Sequence, residues 1–563
     1  MALEAMDEPL MDWKERALEE LCSPRRELVE PSSTGANRYV GLEHIDPGSQ
    51  RIRRWGNDGE LRSTKSRFYV GDVLYGKLRP YLDKAALADF DGVCSTDIIP
   101  LRSHSEMADP CYLSFLLHMA AFLAHAVATT SGVNHPRTSW GDIARFSYPI
   151  PPHPEQRAIA AVLSKIQAAV EVQDKLVATL KELKAATMAR LFREGIVKGL
   201  MFDTNVFDDL IDGRLNIAVL PKGTKIYATH IQMDEIARCS DQERRTRLQE
   251  VLTDSVHSQL PTASFVIGVS RLDQARLGDG NTFQNLRGSA ARNTHDALIA
   301  ETAIKEGLVL VTNDKDLRER ARKAGGESIG MDDLLAGKLR PSKQTEIGEI
   351  PESWEVVRLG EIAELITKGS SPNWQGFDYC DSGVLFVRSQ NVGPGELLLS
   401  EMAYLPEEFN RKERRSILRP GDVLINIVGA SIGRAAVADS RLHGANINQA
   451  VALVRLTPNS LNPFFLMSFL LSQAGLNQMH RQKKEIARAN LSLEDVGSFL
   501  VPVPSRIEQD EIATALEAVG KRLLTAEQRR DSLKSLFSSM LHLLMTGQVR
   551  VSHLELMQTA RIT

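Results

Sequence analysis

The feature that most constrains this chain is an internal repeat. The segment "FSYPIPPHPEQRAIAAVL" (146–163) lies over "FLVPVPSRIEQDEIATAL" (499–516) at an offset of 353, which sets Glu155-Gln156 on Glu508-Gln509 and Ile159-Ala160 on Ile512-Ala513. Upstream, "SWGDI" (139–143) matches "SLEDV" (492–496) at the same offset, and "VGDVLYGKLRP" (70–80) resembles "PGDVLINIVGA" (420–430) at an offset of 350. Whatever fold the first copy takes, the second must take as well, so the chain is a tandem of one module.

Each copy ends in a stretch whose apolar residues recur at a 4-3 spacing. In the second, Ile512, Leu516, Val519, Leu523 and Ala526 are continued by Leu533, Phe537, Met540 and Leu544, with Arg530 as the one polar break. That spacing is a coiled-coil seam. The first copy carries Ile159, Leu163, Ile166, Val170, Val177, Leu180 and Leu191 on the same frame, interrupted by Gln173, Lys184 and Thr187. Prolines ahead of each run (Pro149, Pro151, Pro152; Pro502, Pro504) end a strand and set the start of the helix. Two readings are open. Each helix can pack on its own globular domain, or the two can pack on each other; the narrow seams and equal lengths favour the second. About 35 residues at ~1.5 Å each make a rod of roughly 50 Å, which would hold two heads at a fixed distance. Ahead of each helix lie short β-like runs broken by Gly, Pro and Asn, such as "GVLFVRSQNVG" (383–393), the pattern of a sheet-rich mixed domain.

A chain of 563 residues is too long for one core. No run of about 18 apolar residues and no leader-like N-terminus is found, so the expected location is cytoplasmic. The five cysteines are scattered without a CxxC pair, which argues against a disulfide framework or a zinc knuckle. Charge is unevenly placed. Residues 200–336 carry 21 acidic and 17 basic side chains, the whole net charge of −4, while the remainder balances at 51 and 51. DNA contacts would therefore have to come from local clusters such as "RIRR" (51–54), "RKERR" (411–415) and "RQKKEIAR" (481–488).

A "GDVL" strand, a "DKAAL" or "GRAAV" strand, a helix such as "NPFFLMSFLLS" (462–472), a P-x-P strand end, "EQ" and a long helix follow in that order. This series resembles the target recognition domain and conserved helix of DNA-specificity subunits in type I restriction-modification systems. "TEIGEIPESWEVVRLGEI" (345–362) is similar to that family's second lead-in, whereas the first, around Trp13 and Leu21, looks degenerate. The resemblance implies a non-catalytic subunit that reads a bipartite, asymmetric double-stranded DNA site with two different heads. It also implies adenine methyltransferase partners and, for cleavage, motor/nuclease subunits. The DNA-contacting candidates are Lys77, Arg79 and Arg137 in the first head and Arg388, Arg434, Lys483, Lys484 and Arg488 in the second; the plainer reading of each is a solvated or salt-bridged residue.

Between the copies a different pattern intervenes. "LMFDTNVFDDLI" (200–211), "KIYATHIQMDEIAR" (225–238) and "LVLVTNDKDL" (308–317) each read as a short strand entering a helix, and "NTHDALIAETAIKEG" (293–307) as a helix with Asp296 in its first turn. Strands alternating with helices predict a parallel sheet covered on both faces, with acidic residues at strand ends converging at one edge. Order and spacing resemble a PIN-domain nuclease. That family's four acidic positions fall on Asp203, Glu235, Asp296 and Asp314, with Thr204, Asn205, Thr312 and Asn313 as polar neighbours. The resemblance implies a catalytic, metal-binding cluster for Mg²⁺ or Mn²⁺. Taken singly, Asp203 and Asp296 could be helix caps and Glu235 a surface residue. Three roles for the insert stay open: a nuclease acting on DNA or RNA, an inert spacer or protein-contact domain, or a toxin-like ribonuclease held by the assembly.

The expected fold is an α+β multidomain chain with an inserted α/β/α parallel-sheet domain. Its parts are a recognition domain at 1–150, a coiled-coil helix at 151–196, the insert at 199–337, a second recognition domain at 345–500 and a second helix at 505–548.

Overall fold

The computed structural model describes residues 12–30, 38–57, 63–132, 134–221, 223–278, 280–485 and 490–551, without the side chains of 219 and 482–485. The chain packs as two compact units. One runs to Thr179 and resumes at Leu524; the other spans Leu180–Leu523. The dividing points fall inside the two long helices, His153–Glu194 and Arg506–Met545, so each unit takes part of both.

In the first unit a four-stranded antiparallel sheet is ordered Cys22–Pro24, Ile98–Ser103, Val73–Gly76, Ala85–Leu87. The "VLYG" strand is buried at all four residues, as expected of a central strand covered on both faces. A second sheet is ordered Leu28–Val29, Lys65–Phe68, Gly92–Cys94, Tyr39–Val40, with its last pair parallel. Lys14–Ala17 pairs with Ser147–Ile150. The second unit contains the same design. Ala363–Lys368, Val451–Leu456, Val423–Asn426 and Ala435–Val437 form the antiparallel sheet. Ala403–Leu405, Val384–Val387 and Asn446–Ile447 form the smaller one, again with a parallel last pair. Glu355–Arg358 pairs with Leu500–Val503. The repeat in the sequence is thus a repeat in topology.

The long helices pack on each other as well as on their domains. In the first unit Ile159 and Leu163 share a core with Leu544 and Met545, and in the second Met188, Leu191 and Phe192 share one with Ile512, Ala513 and Leu516. Both patterns require antiparallel helices. Gln173, a polar break in the first seam, is buried and donates from Nε2 to the carbonyl of Ala526 at 2.9 Å. Ala526 is the counterpart of Gln173 at the offset of 353. The observed helices are slightly shorter than expected, beginning at His153 and Arg506 and ending at Glu194 and Met545. Among the described residues no single helix is long and apolar enough to cross a membrane.

Within the second unit the insert forms a five-stranded, wholly parallel sheet ordered Ser258–Gln259, Ile226–Ala228, Leu200–Phe202, Val309–Val311, Glu327–Ile329. Alternation explains its continuous apolar runs. Leu200, Phe202, Val309 and Val311 face one core, while Met201 and Leu310 face the other. Because all five strands run the same way, their C-terminal ends lie along one edge.

Candidate functional site

Two groups of side chains carry the expected chemistry: the acidic edge of the insert and the polar loops of the recognition domains.

Asp203 follows the central strand and caps the helix Thr204–Ile211. It is 5% exposed. Its Oδ1 accepts from the Thr204 amide at 2.8 Å, and Oδ2 accepts from Asn205 Nδ2 at 2.9 Å and Thr312 Oγ1 at 2.6 Å. Burial pushes the carboxyl up to about 6. The charges of Asp296 and Glu235 raise it further, and the Thr312 and Thr204 hydrogen bonds oppose the rise. Asp296, in the first turn of Thr294–Glu306, is likewise raised, by burial first and then by Glu235 and Asp314. These carboxylates therefore sense one another, as the sequence pattern requires of a shared edge.

As they stand, they are not gathered into one ligand set. Among the described residues no three carboxylates, imidazoles or thiols stand close enough to share an ion. The geometry gives the reason. Glu235 is taken up on both oxygens, one by the Thr204 hydroxyl and the other by His295 Nδ1 at 2.6 Å. Asp314 caps the helix Lys315–Lys323, accepting from the amides of Asp316 at 2.8 Å and Leu317 at 3.1 Å. Asn313 turns away to donate to the buried Asp209 at 2.7 Å. His295, absent from the expected cluster, is the residue that sequence reasoning missed; its position beside Asp296 at a helix start was the available signal.

In the first recognition domain the structure brings Lys77, Arg79 and Arg137 together. Thr138 donates its amide to the Lys77 carbonyl at 3.0 Å, and the Arg79 amide donates to Pro136 at 2.8 Å. Lys77 and Arg137 line a cleft with Arg26, Ser139 and Trp140, and Arg137 Nε pairs with Asp97 at 3.1 Å. The same loop pairing recurs in the second domain. The isolated bridge Leu78 to Arg137 has its counterpart in Val428 to Asn490, and Leu491 donates to Ile427 at 2.8 Å. There, however, the equivalent side chains are Ile427, Gly429 and Asn490, so the cationic set is not duplicated. Arg434 is exposed. Arg388 is partly buried and donates to the Glu401 carbonyl at 3.1 Å, a tie within its own domain. Arg488 and the side chains of Lys483 and Lys484 lie outside the described residues.

The "EQ" pair has a structural explanation in both copies. Gln156 donates to the Pro151 carbonyl and accepts from the Asp109 amide, at 3.0 and 2.9 Å; Gln509 does the same with Pro504 and Asn462, at 2.9 and 2.8 Å. Glu155 accepts from Trp13 Nε1 at 3.2 Å and is held by Arg550 at 2.5 Å. Glu508 accepts from Trp354 Nε1 at 2.9 Å and is held by Arg340 at 2.6 Å. The first lead-in is therefore complete in function: Trp13 does for Glu155 what Trp354 does for Glu508. Arg340, with 6% of its side chain exposed, also pairs with Glu327 on the edge strand of the insert. Glu508 further accepts from the Ile196 amide at 2.9 Å. One buried cluster thus clasps the segments leading into and out of the insert.

The family model for the type I restriction modification DNA specificity domain matches residues 12–182 and 351–535, well over half of the sequence, and leaves the insert unmatched. Among curated relatives, the MjaVIII specificity subunit of Methanocaldococcus jannaschii is 24% identical over 216 residues, 38% of this chain and 50% of the relative. The EcoBI specificity subunit of Escherichia coli is 31% identical over 170 residues, 30% of this chain and 35% of the relative. The chain spans half the length or less of these two curated relatives. A solved S subunit of a type I restriction-modification system from M. genitalium aligns over 97% of this chain and 98% of its own, at 13% identity and a TM-score of 0.47.

Proposed function

The chain belongs to the family of type I restriction-modification DNA specificity domains, and from that premise we propose that it is the sequence-reading subunit of such a complex. It reads a bipartite double-stranded DNA site in the cytoplasm and assembles with adenine methyltransferase subunits and, for cleavage, motor/nuclease subunits. The observation that carries this reading is the duplication itself. Two domains of one topology present different loop side chains, cationic Lys77, Arg79 and Arg137 in one and Ile427, Gly429 and Asn490 in the other. Identical readers would favour a palindrome; different ones imply an asymmetric site, with phosphate contacts positioning each head and base edges specifying it. Coexpression with a methyltransferase subunit of this family, followed by mapping of methylated adenines, tests the proposal. Methylation confined to one two-part asymmetric sequence is expected, and methylation at a continuous or palindromic site would overturn it.

For the insert, the reading we favour is a PIN-like nuclease that uses Mg²⁺ or Mn²⁺. Parallel-sheet order and the raised Asp203 and Asp296 carboxyls support it. The donors suit a hard divalent cation in kind, because burial and mutual repulsion leave these carboxylates short of compensating charge. Asp203 and Asp296 would hold the ion, and Glu235 would join after exchanging its bond to His295. The ion, when bound, supplies polarised water and charge neutralisation for phosphodiester cleavage. The chain's own part is positional. Thr312 and Asn205 fix the Asp203 carboxylate, and Asp314 is held as a helix cap. The occupied oxygens of Glu235 favour a second reading, in which the insert is a spacer or protein-contact domain; a toxin-like ribonuclease is a third. Cleavage of DNA and RNA by the purified chain, with and without Mn²⁺, separates them.

A further inference from the structure

Trp374 is 91% exposed, in a protein whose Trp13 and Trp354 are buried. An indole can bury some 150–250 Å², so leaving one in water forgoes a large apolar contribution unless something covers it. Its setting is held. Trp374 lies on the short helix Pro372–Gln375. The Phe377 amide donates back to Pro372 at 3.0 Å, and the Phe377 ring meets Phe409 edge-on at 5.5 Å. Lys412 Nζ donates to the carbonyl of Gln375 at 3.1 Å, which brings a cation to the residue next to the indole. That lysine belongs to "RKERR", a cluster left without a role by the loops described above. Its four cations Arg411, Lys412, Arg414 and Arg415 are all exposed, against the single acid Glu413 within the run, although Glu408 pairs with Arg411 at 3.4 Å.

The first domain also presents a partly open indole. Trp55 is 46% exposed, ends the run "RIRRW" and carries the Arg38 guanidinium 4.6 Å from its ring centroid. The two indoles lie on different segments of the repeat: Trp55 follows the strand Tyr39–Val40, and Trp374 precedes that strand's counterpart, Val384–Val387. Gly56, next to Trp55, bridges Tyr39 on the strand that runs parallel to Gly92–Cys94. The segment carrying Trp374 leads to Cys380, which bridges Tyr404 on the strand beside Val384–Val387, itself parallel to Asn446–Ile447. Each domain therefore presents an exposed indole with neighbouring cations near its smaller sheet.

We propose that Trp374 is a specificity-determining DNA contact of the second recognition domain, its indole lying against the bases or sugars of that half-site while Arg411, Lys412 and Arg414 pair with the flanking phosphates. This rests on the DNA-reading function proposed above. An aromatic face gains from bases and sugars whatever the sequence, and becomes selective through the ease with which a given step opens to receive it.

The test uses the chain in complex with its methyltransferase and duplexes of about 30 bp that carry the mapped site or a change in one half. Trp374→Ala should weaken binding to the cognate duplex on the order of tenfold. It should also lower discrimination against changes in the second half-site and leave discrimination in the first intact. Trp374→Phe should recover much of the loss. Arg411→Ala with Lys412→Ala should weaken all duplexes alike and flatten the salt dependence. At 91% exposure the Trp374 substitutions should not move the melting temperature. Wild-type affinity and discrimination in Trp374→Ala would overturn the inference while leaving DNA reading in place. Loss of the methyltransferase with unchanged DNA binding would overturn it in favour of a protein contact. A wild-type complex that discriminates no duplex would remove both.

Discussion

Replacing Asp203 by Asn should stabilise the insert at neutral and alkaline pH in the absence of metal. Asp203 is buried and its carboxyl stands at about 6 against an ordinary 3.8. The folded state therefore binds the proton more tightly than the unfolded chain. That contribution to stability is fully present below about pH 3.8 and is lost as pH rises through about 6, leaving an unfavourable buried charge above it. A displacement of about two pKa units corresponds to ~3 kcal/mol at about pH 8 and ~1 kcal/mol at about pH 4.5. Asparagine removes the charge. It can keep one oxygen for Thr312 and Asn205 but not the bond from the Thr204 amide, a loss of ~1 kcal/mol. The balance is ~2 kcal/mol of stabilisation at about pH 8 and near zero at about pH 4.5. Thermal or urea unfolding of the full chain, followed by hydrogen exchange in the Leu200–Phe202 and Val309–Val311 strands, measures it. If the edge binds a divalent ion, Mg²⁺ at 100 times its Kd should stabilise the wild type by ~2.7 kcal/mol and Asp203→Asn far less, and nuclease activity should vanish in the variant. Destabilisation of Asp203→Asn at about pH 8, or a gain of equal size at both pH values, would refute the reasoning.

The Trp–Glu–Arg clusters supply a second expectation. Arg340→Ala leaves the partly buried Glu508 and Glu327 without their cation and should cost up to ~3 kcal/mol, the lower end of the range for a fully buried pair. Arg550→Ala, at a side chain 26% exposed, should cost less, as urea unfolding of the two variants would show. Gly195→Ala should be comparably damaging to Arg340→Ala, because at φ +65° an alanine is strained and its Cβ would clash with Arg340 Nη1 and Glu508 Oε1, which are fixed on each other; a wild-type melting curve would contradict the close approach. Replacing residues 199–337 by a Gly/Ser linker of about 10 residues, able to span roughly 20 Å, retains Ile196 and Arg340 on Glu508 and gives up only the Glu327 pair. Methylation specificity should survive while any metal-dependent cleavage by the chain is lost, and loss of methylation by a soluble deletion would show that the insert positions the helices. Exchanging 363–490 for the equivalent part of another specificity subunit should change one half of the methylated site and leave the other untouched; a change in both halves would end the two-reader account.

Local pattern was enough for the repeat, the helix seams and the parallel sheet, because period and strand order depend on residues near one another in sequence. The alternation of Leu200, Met201 and Phe202 between two cores follows from the strand period of two. The capping of a helix by Asp203 follows from one side chain and the next turn; Asp296, expected as a second cap, lies instead within the first turn of its helix, whose cap position is Asn293.

What the tertiary structure alone decided was partnership. Glu155 and Glu508 were visible as a repeated pair, yet nothing local says that the first takes Arg550, 395 residues away, and the second Arg340. The hint was "GQVR" (547–550) against "GKLR" (337–340), a second repeat hidden because the insert displaces it from the offset of 353. Antiparallel helix packing brings the end of each helix back to the start of the other, and so selects these arginines. Likewise the sequence pattern put four acids at one edge, but only packing set His295 and Thr204 on Glu235. Residue type and period act over a few residues; the pairing of charges is settled by which surfaces meet when the cores close.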